Sequence, residues 1–297
     1  MPWFSYHGGH SGQYCRHAKG KLADVVRTAV ERGFTHYGLS EHCPRDRQQD
    51  LYPGEEDLGP SGLLQLFEEY MDEARRLQEV AAGQLNVLVG FETEHLPSDT
   101  WLDRMQGLRA ELAPDYIVGS VHDVEGTWVD FSPEMTRAAA DAAGGFEALH
   151  VKYFEAVADL ATRLQPQVVG HIDLVRKFDG EHAGFGPRAM AACERALEAT
   201  RAVGAVLDVN PGAHRRGLSP IYPLPAILHR ARAMGVGVTL GDDGHGPHDV
   251  GVGLDACMRA IAEAGYTEVC YFERRDGRVG RATSPIEAVH PARRSPS

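Results

Sequence analysis

The chain has 297 residues, enough for one large domain or two modest ones, and carries 30 Lys and Arg against 42 Asp and Glu, a formal charge of −12. That balance excludes a broadly cationic surface and so argues against nucleic-acid or anionic-membrane partners. No apolar run reaches the roughly 18–20 residues of a membrane span. The first ten residues lack the basic and apolar regions of a secretory signal. Five cysteines, at 15, 43, 193, 257 and 270, are odd in number and form no CxxC pair, which fits a reduced, cytoplasmic compartment.

In chain order, a β-rich run at Trp3–His7 precedes a helical stretch at Leu22–Glu31 and a second run at Thr35–Ser40. The turn-rich stretch Leu51–Gly62 leads into a helix whose Leu63, Leu66, Phe67, Tyr70, Met71, Ala74 and Leu77 share one apolar face. The run Asn86–Phe91, a helix over Asp99–Leu112 and the run Tyr116–Val121 follow, then the small-residue excursion Glu125–Gly145. Leu149, Tyr153, Phe154, Val157, Leu160 and Ala161 mark the next helix, before the run Gln167–His171. Met190, Cys193, Ala196, Leu197 and Thr200 mark another, before Ala205–Val209. A helix at Leu224–Met234, the run Gly237–Leu240, a helix at Gly253–Ala264 and an eighth run at Glu268–Phe272 complete the pattern. Such alternation predicts βα units around a parallel sheet, either a closed (β/α) barrel or a doubly wound open sheet. Residues 1–280 read as one domain and 281–297, rich in Pro, Ser and Arg, as a flexible tail.

The placement of the 15 histidines carries the function. His7 and His10 follow the first run, Glu41 and His42 the second, Glu92, Glu94 and His95 the third, His122 and Asp123 the fourth. His171 and Asp173 follow the fifth, Asn210 the sixth, and Asp242, Asp243 and His245 the seventh. In a (β/α) barrel these strand ends converge on one face, where active sites sit. A single histidine after a strand is usually a hydrogen-bonded structural residue, but seven successive strand ends with such groups form a ligand set for borderline divalent ions. The set exceeds the needs of one ion, so two or three of the Zn, Mn or Fe kind are expected. His36, His150, His182, His229, His248 and His290 fall elsewhere and read as structural or solvated.

In this order the motifs resemble the PHP (polymerase and histidinol phosphatase) superfamily, and within it the histidinol-phosphatase branch. The resemblance is carried by His7-Gly-Gly-His10 through His17, Leu39-Ser-Glu-His42-Cys-Pro44, Gly90-Phe-Glu92-Thr-Glu94, Gly119-Ser-Val-His122 and the Asp130-Phe-Ser segment. It continues through Gly170-His171-Ile-Asp173 to Lys177, Asn210 to Arg215, and Asp242-Asp243-Gly244-His245. It implies an α/β fold: a single distorted (β/α)7-type, TIM-like barrel with the metal site at the C-terminal ends of its strands. The implied ligands are His7, His10, His17, His42, Glu92, His122, His171, Asp243 and His245, with Glu92 bridging two ions. Glu92, Asp243 and His245 form the implied catalytic set.

Two glycines separate His7 from His10 where the family has one residue, so both imidazoles face inward only if Gly8 and Gly9 permit a bulge. Asp242 is an additional carboxylate without an assigned role, and Pro211 follows Asn210 where a small polar residue is common.

The implied reaction is hydrolysis of a small phosphomonoester, L-histidinol phosphate in this branch. Phosphate oxygens favour the guanidinium fork, and Arg215, Arg216, Arg176 (with its neighbour Lys177) and Arg16 are the candidate contacts. Glu94, Glu41 or Asp173 could hold the substrate's ammonium group or instead support a metal-bound imidazole. The alternatives are a PHP-type phosphoesterase acting on another small phosphorylated metabolite or nucleotide, a metal-binding protein without activity, and an amidohydrolase-type barrel. The last is weakened because Lys177, the only lysine after a strand, lies well past His171.

Overall fold

The structure, a computed structural model, describes residues 2–96, 98, 100–179, 184–215 and 221–290, with 214 and 215 described by backbone alone. Among them are β1 (Phe4–Ser5), β2 (His36–His42), β3 (Asn86–Glu94), β4 (Tyr116–Ser120), β5 (Asp123–Val124) and β6 (Thr127–Trp128). After these come β7 (Val168–Val169), β8 (Val206–Val209), β9 (Gly237–Leu240), β10 (Glu268–Arg275) and β11 (Arg278–Pro285). Seven strands form one sheet in the order β1-β2-β3-β4-β7-β8-β9, every ladder parallel. The sequential order excludes a doubly wound sheet, whose order reverses at a switch point.

Beyond the last ladder the two edges meet: the Tyr6 amide donates to the Leu240 carbonyl at 2.8 Å and the Asp243 amide to the His7 carbonyl at 2.7 Å. The result is a nearly closed, seven-stranded TIM-like barrel. Its strands are buried apolar runs such as Val87–Val89, as expected of a parallel sheet covered on both sides. The helix Gly59–Val80 covers one flank, burying Leu63, Phe67, Tyr70, Met71, Ala74 and Leu77. The helix Phe146–Leu164 covers another, burying among others Leu149, Tyr153, Phe154, Val157 and Leu160. Tyr70 also reaches toward the site: its hydroxyl donates to the Gly90 carbonyl at 2.7 Å and accepts from the Glu41 amide at 3.3 Å. A packing residue of the flank thus fixes the strand ends that carry Glu41, His42 and Glu92.

The eighth run expected in the barrel does not join it. β10 turns at Asp276 and Gly277, both with positive φ, and pairs antiparallel with β11 from Glu268↔Pro285 to Arg275↔Arg278. Asp-Gly with this handedness is the two-residue turn that matches strand twist. The hairpin closes the barrel's floor. Asn86 exchanges side-chain bonds with the Arg274 backbone at 3.0 and 3.1 Å, Arg274 pairs with Asp115, and the Tyr6 hydroxyl donates to the Phe272 carbonyl. The first residues of the expected tail are ordered instead: Arg281–Pro285 lie in β11 and Ile286–Ala288 form a 3₁₀ turn, while 291–297 lie outside the described residues. All five cysteines are free and buried. No helix among the described residues is long and apolar enough to cross a membrane.

Candidate metal centre

His7 and His10 both turn into the barrel, and the two glycines between them make this geometrically feasible. Gly8 has φ +140° and Gly9 φ +79°, conformations that L side chains rarely adopt. A Cβ on Gly8 would lie 2.2 Å from Asp242 Oδ1. Asp242 itself is fully buried and accepts from the Tyr37 hydroxyl at 2.9 Å, the Gly251 amide at 2.7 Å and the Gly244 amide at 3.0 Å. The carboxylate left without a role by the sequence thus fastens the β9 loop to the barrel wall. Next to it, Asp243 adopts φ +49° and lines the cavity. Strain of this kind persists only where its surroundings hold it.

Glu92, near the end of β3, is the hub. Its Oε1 faces Nε2 of His7 at 3.2 Å, of His171 at 3.2 Å and of His122 at 3.4 Å. Its Oε2 faces Nδ1 of His42 at 3.2 Å and Nε2 of His10 at 3.8 Å. One carboxylate therefore presents each oxygen to a different set of imidazoles. His42 Nε2 in turn faces His17 Nε2 at 3.2 Å, the ring centroids of His10 and His245 are 4.5 Å apart, and Asp243 Oδ1 lies 3.9 Å from His7 Nε2. All nine expected ligands gather at the C-terminal mouth of the barrel.

Behind the imidazoles stand carboxylates. His7 Nδ1 meets Asp208 at 2.7 Å, His10 Nδ1 meets Glu41 at 3.0 Å and His122 Nδ1 meets Glu94 at 2.7 Å. A proton held on Nδ1 by a carboxylate leaves the Nε2 lone pair pointing at the hub, the arrangement that orients metal-ligating histidine. The acceptor atoms show the same bias. Nε2 of His7 and of His10, Nδ1 of His42 and Oε1 of Glu92 are buried without a hydrogen-bond partner. Orphaned buried donors and acceptors of this kind cost free energy unless something fills the space between them. Divalent ions fit, because three trios each bring one ligand atom apiece to within 4.8 Å of one another: His7–Glu92–His171, His7–His10–Asp243 and His10–His42–His245. A fourth, Cys15–His17–His42, adds a thiol, whereas Cys43 joins none. The donor set is that of a divalent-metal site, nitrogen and oxygen predominating.

Electrostatics agree. Burial alone would raise the Glu92 pKa, but His7 and His42 hold it well below the ordinary carboxylate range. Burial, reinforced by His245 and His10, pushes His17 down to about 3, and burial lowers His42 against the pull of Glu92. These two imidazoles are neutral donors at neutral pH. Burial disfavours charge on His7 as well, yet Glu92 and Asp208 together raise its pKa well above the usual value, so an arriving ion would displace a proton there.

The mouth opens into a cavity of about 560 Å³ whose walls include Arg16, Tyr52, Asp130, Phe131, Lys177 and Tyr222. This is the size of a small-molecule site. The expected substrate contacts divide. Arg16 lines the cavity, half exposed and paired with Asp57. Arg176 does not line it: the guanidinium is buried, bonded to Asp173 at 3.0 Å and the Ile221 carbonyl at 2.7 Å, and stacked on Tyr222. Its neighbour Lys177 faces the cavity instead, bonded to the Asp130 carbonyl and to its carboxylate at 3.1 Å. Glu94 is fully buried and engaged by His122, Arg45 and Tyr52. Glu41 and Asp173 are likewise taken, by His10 and Arg176. Arg215 ends the short helix Gly212–Arg215, whose first residue lines the cavity; Arg216 lies outside the described residues. His95 points away, to Asp159 and Trp101.

Sequence reading missed two residues. Asp208 interrupts the apolar run Val206–Val209, an anomaly in a buried strand and the one available signal. Arg45 follows Pro44 in a segment that looks like ordinary loop.

A (β/α) barrel with a histidine- and carboxylate-rich site at its strand ends is an architecture of metal-dependent enzymes. Residues 7–212 match the family model for the PHP domain, and the chain belongs to that family. It is 38% identical over 279 residues to a Schizosaccharomyces pombe protein named "Probable histidinol-phosphatase", covering 92% of this chain and 90% of that one. It is 26% identical to the "Histidinol-phosphatase" of Saccharomyces cerevisiae, covering 90% and 91%. Among solved structures, the hisK chain of Listeria monocytogenes superposes with a TM-score of 0.74 at 23% identity, over 85% of this chain and 99% of that one. The histidinol phosphate phosphatase of Lactococcus lactis, solved with zinc, L-histidinol and phosphate, gives a TM-score of 0.67 at 17% identity, over 94% and 98%. Both structural likenesses are of fold.

Proposed function

We propose that this protein is a metal-dependent phosphomonoesterase that hydrolyses L-histidinol phosphate to L-histidinol and phosphate, with two or three divalent ions of the zinc, manganese or iron kind. One observation carries the metal-dependent chemistry: Glu92 offers its two oxygens to five histidines at 3.2–3.8 Å. The 38% identity to the S. pombe protein, spread over nine-tenths of both chains, supports the substrate.

His7, His122 and His171 with Glu92 Oε1 would hold one ion, and His10, His42, His245 and Glu92 Oε2 another. Asp243 stands between the two groups, and His17 would complete a third set with His42. Divalent ions bound there would supply a nucleophile from water at neutral pH and neutralise phosphate charge. The chain does the rest. Asp208, Glu41 and Glu94 keep protons on Nδ1 of His7, His10 and His122, fixing ring orientation. Arg16 and Lys177, with Arg215 and Arg216 as further candidates, supply positive charge to the phosphate oxygens. Phe131 and Tyr222 give the organic half of the substrate an aromatic surface, and the small cavity disfavours long polyanions.

The test is phosphate release from L-histidinol phosphate beside a panel of other phosphomonoesters, with metal content measured on the same protein. Strong preference for histidinol phosphate supports the reading, and an active enzyme preferring another ester would remove the substrate while leaving the chemistry.

A further inference from the structure

Arg45 is buried at 3% exposure, close to the metal centre but outside the ligand set. Its guanidinium is spent on two carboxylates from different parts of the chain. Nε donates to Glu55 Oε2 at 3.0 Å and Nη2 to Glu55 Oε1, while Nη1 reaches Glu94 Oε1 at 3.4 Å. Glu55 belongs to the loop between β2 and the helix Gly59–Val80, and its Oε2 also accepts the Tyr52 amide at 2.9 Å. The Tyr52 ring lies over the guanidinium at 4.4 Å, packs tilted against Trp128 with centroids 4.2 Å apart, and sends its hydroxyl to Glu94 Oε1 at 3.4 Å. Tyr52 and Glu55 both line the cavity. Glu94 Oε2, in turn, holds His122 Nδ1 at 2.7 Å, and His122 Nε2 faces the hub.

We propose that Arg45 is a positioning residue of the metal centre: it fixes Glu94, and through it His122, and makes that orientation depend on the loop carrying Tyr52 and Glu55 being folded into the cavity wall. The physical reason lies in the fork. A planar guanidinium meets Glu55 with two parallel bonds and still has a third N–H for Glu94, so loop and ligand support share one rigid group; an ammonium has no such geometry. Without it, Glu94 keeps only its bonds to His122, the histidine it should orient, and to the Tyr52 hydroxyl of the loop, and faces Glu55 as a like charge in a buried space. The inference rests on the metal-centre part of the proposed function and not on its substrate.

The experiment measures manganese affinity and stoichiometry by calorimetry on the full-length protein freed of metal and reconstituted. Turnover is followed with p-nitrophenyl phosphate as a generic ester. Arg45→Met is expected to weaken one ion by about ten- to a hundredfold, the cost typical of losing an outer support of a ligand, and to lower kcat more than it raises KM. Arg45→Lys should recover part of this. Because Arg45→Met leaves two buried carboxylates facing each other, the double variant Arg45→Met with Glu55→Gln is included. It removes the repulsion, restores folding and should still show the weakened ion. Arg75→Met, which breaks the pair with Asp115 at the opposite end of the barrel, should lower thermal stability and leave ion affinity intact. A folded double variant with wild-type ion affinity and kcat would overturn the proposal, reducing Arg45 to a structural ion pair. Wild-type protein that takes up no ion would overturn the metal-centre reading itself, and the role of Arg45 with it.

Discussion

Asp208 Oδ2 lies 2.7 Å from His7 Nδ1 while His7 Nε2, on the other side of the same ring, faces Glu92 Oε1 at 3.2 Å. The aspartate comes from β8 and the histidine from just past β1, about two hundred residues apart, so this relay exists only once the barrel is rolled up. Asp208→Asn keeps the shape and removes the charge. It is expected to weaken ion binding and kcat/KM by about ten- to a hundredfold with little change in fold. Metal content after dialysis and circular dichroism of the same sample check both halves.

Glu92→Gln keeps the volume of the hub but leaves it one acceptor oxygen, where the geometry needs two. Activity should fall by on the order of a thousandfold, about 4 kcal/mol of transition-state stabilisation. Metal stoichiometry should fall by at least one ion per chain. Full activity in this variant would mean that Glu92 does not join two sites.

Much of this centre is legible in the sequence because barrel strands place their C-terminal ends at one mouth, so histidine or carboxylate after each run points to a shared location. Even the bulge at Gly8 and Gly9 is readable, since two inward imidazoles three residues apart require one. What is not legible is pairing across the chain. Arg176 and Lys177 read alike as cations after the fifth strand, and only the position of Asp173, Ile221 and Tyr222 assigns the guanidinium to the fold and the ammonium to the cavity. Glu94 reads equally as a substrate contact or as support for an imidazole, and only the fold sets His122, Arg45 and Tyr52 against it. β11 carries little apolar alternation because most of its residues are exposed, so the Asp276-Gly277 turn was its only signal.

The bulge itself is testable. Gly8→Ala puts a Cβ 2.2 Å from Asp242 Oδ1 at φ +140°. The expected cost is about 1–3 kcal/mol of stability together with loss of ion binding at His7 and His10, whose directions it sets. Thermal denaturation and calorimetric titration with manganese should report both. Loss of stability without loss of ion binding would contradict the role given to the bulge.

Chelation should destabilise the protein. Ions that bind the folded state alone stabilise it by about 4 kcal/mol when present at roughly a thousand times their Kd, and the orphaned buried atoms around Glu92 lose their partners when the ions leave. Denaturation scans with and without chelator should differ by several degrees, and the difference should return on adding manganese or zinc. Coincident curves would place the ions elsewhere.

The most direct test of the central claim joins composition to activity on one preparation. The protein is purified without chelator, its metals are determined by elemental analysis, and phosphate release from L-histidinol phosphate is measured before chelation, after it and after reconstitution. The account predicts two or three equivalents of divalent metal, hydrolysis lost with the metal, and hydrolysis restored with it. Metal-free protein that remains inactive after reconstitution with zinc, manganese or iron would contradict it.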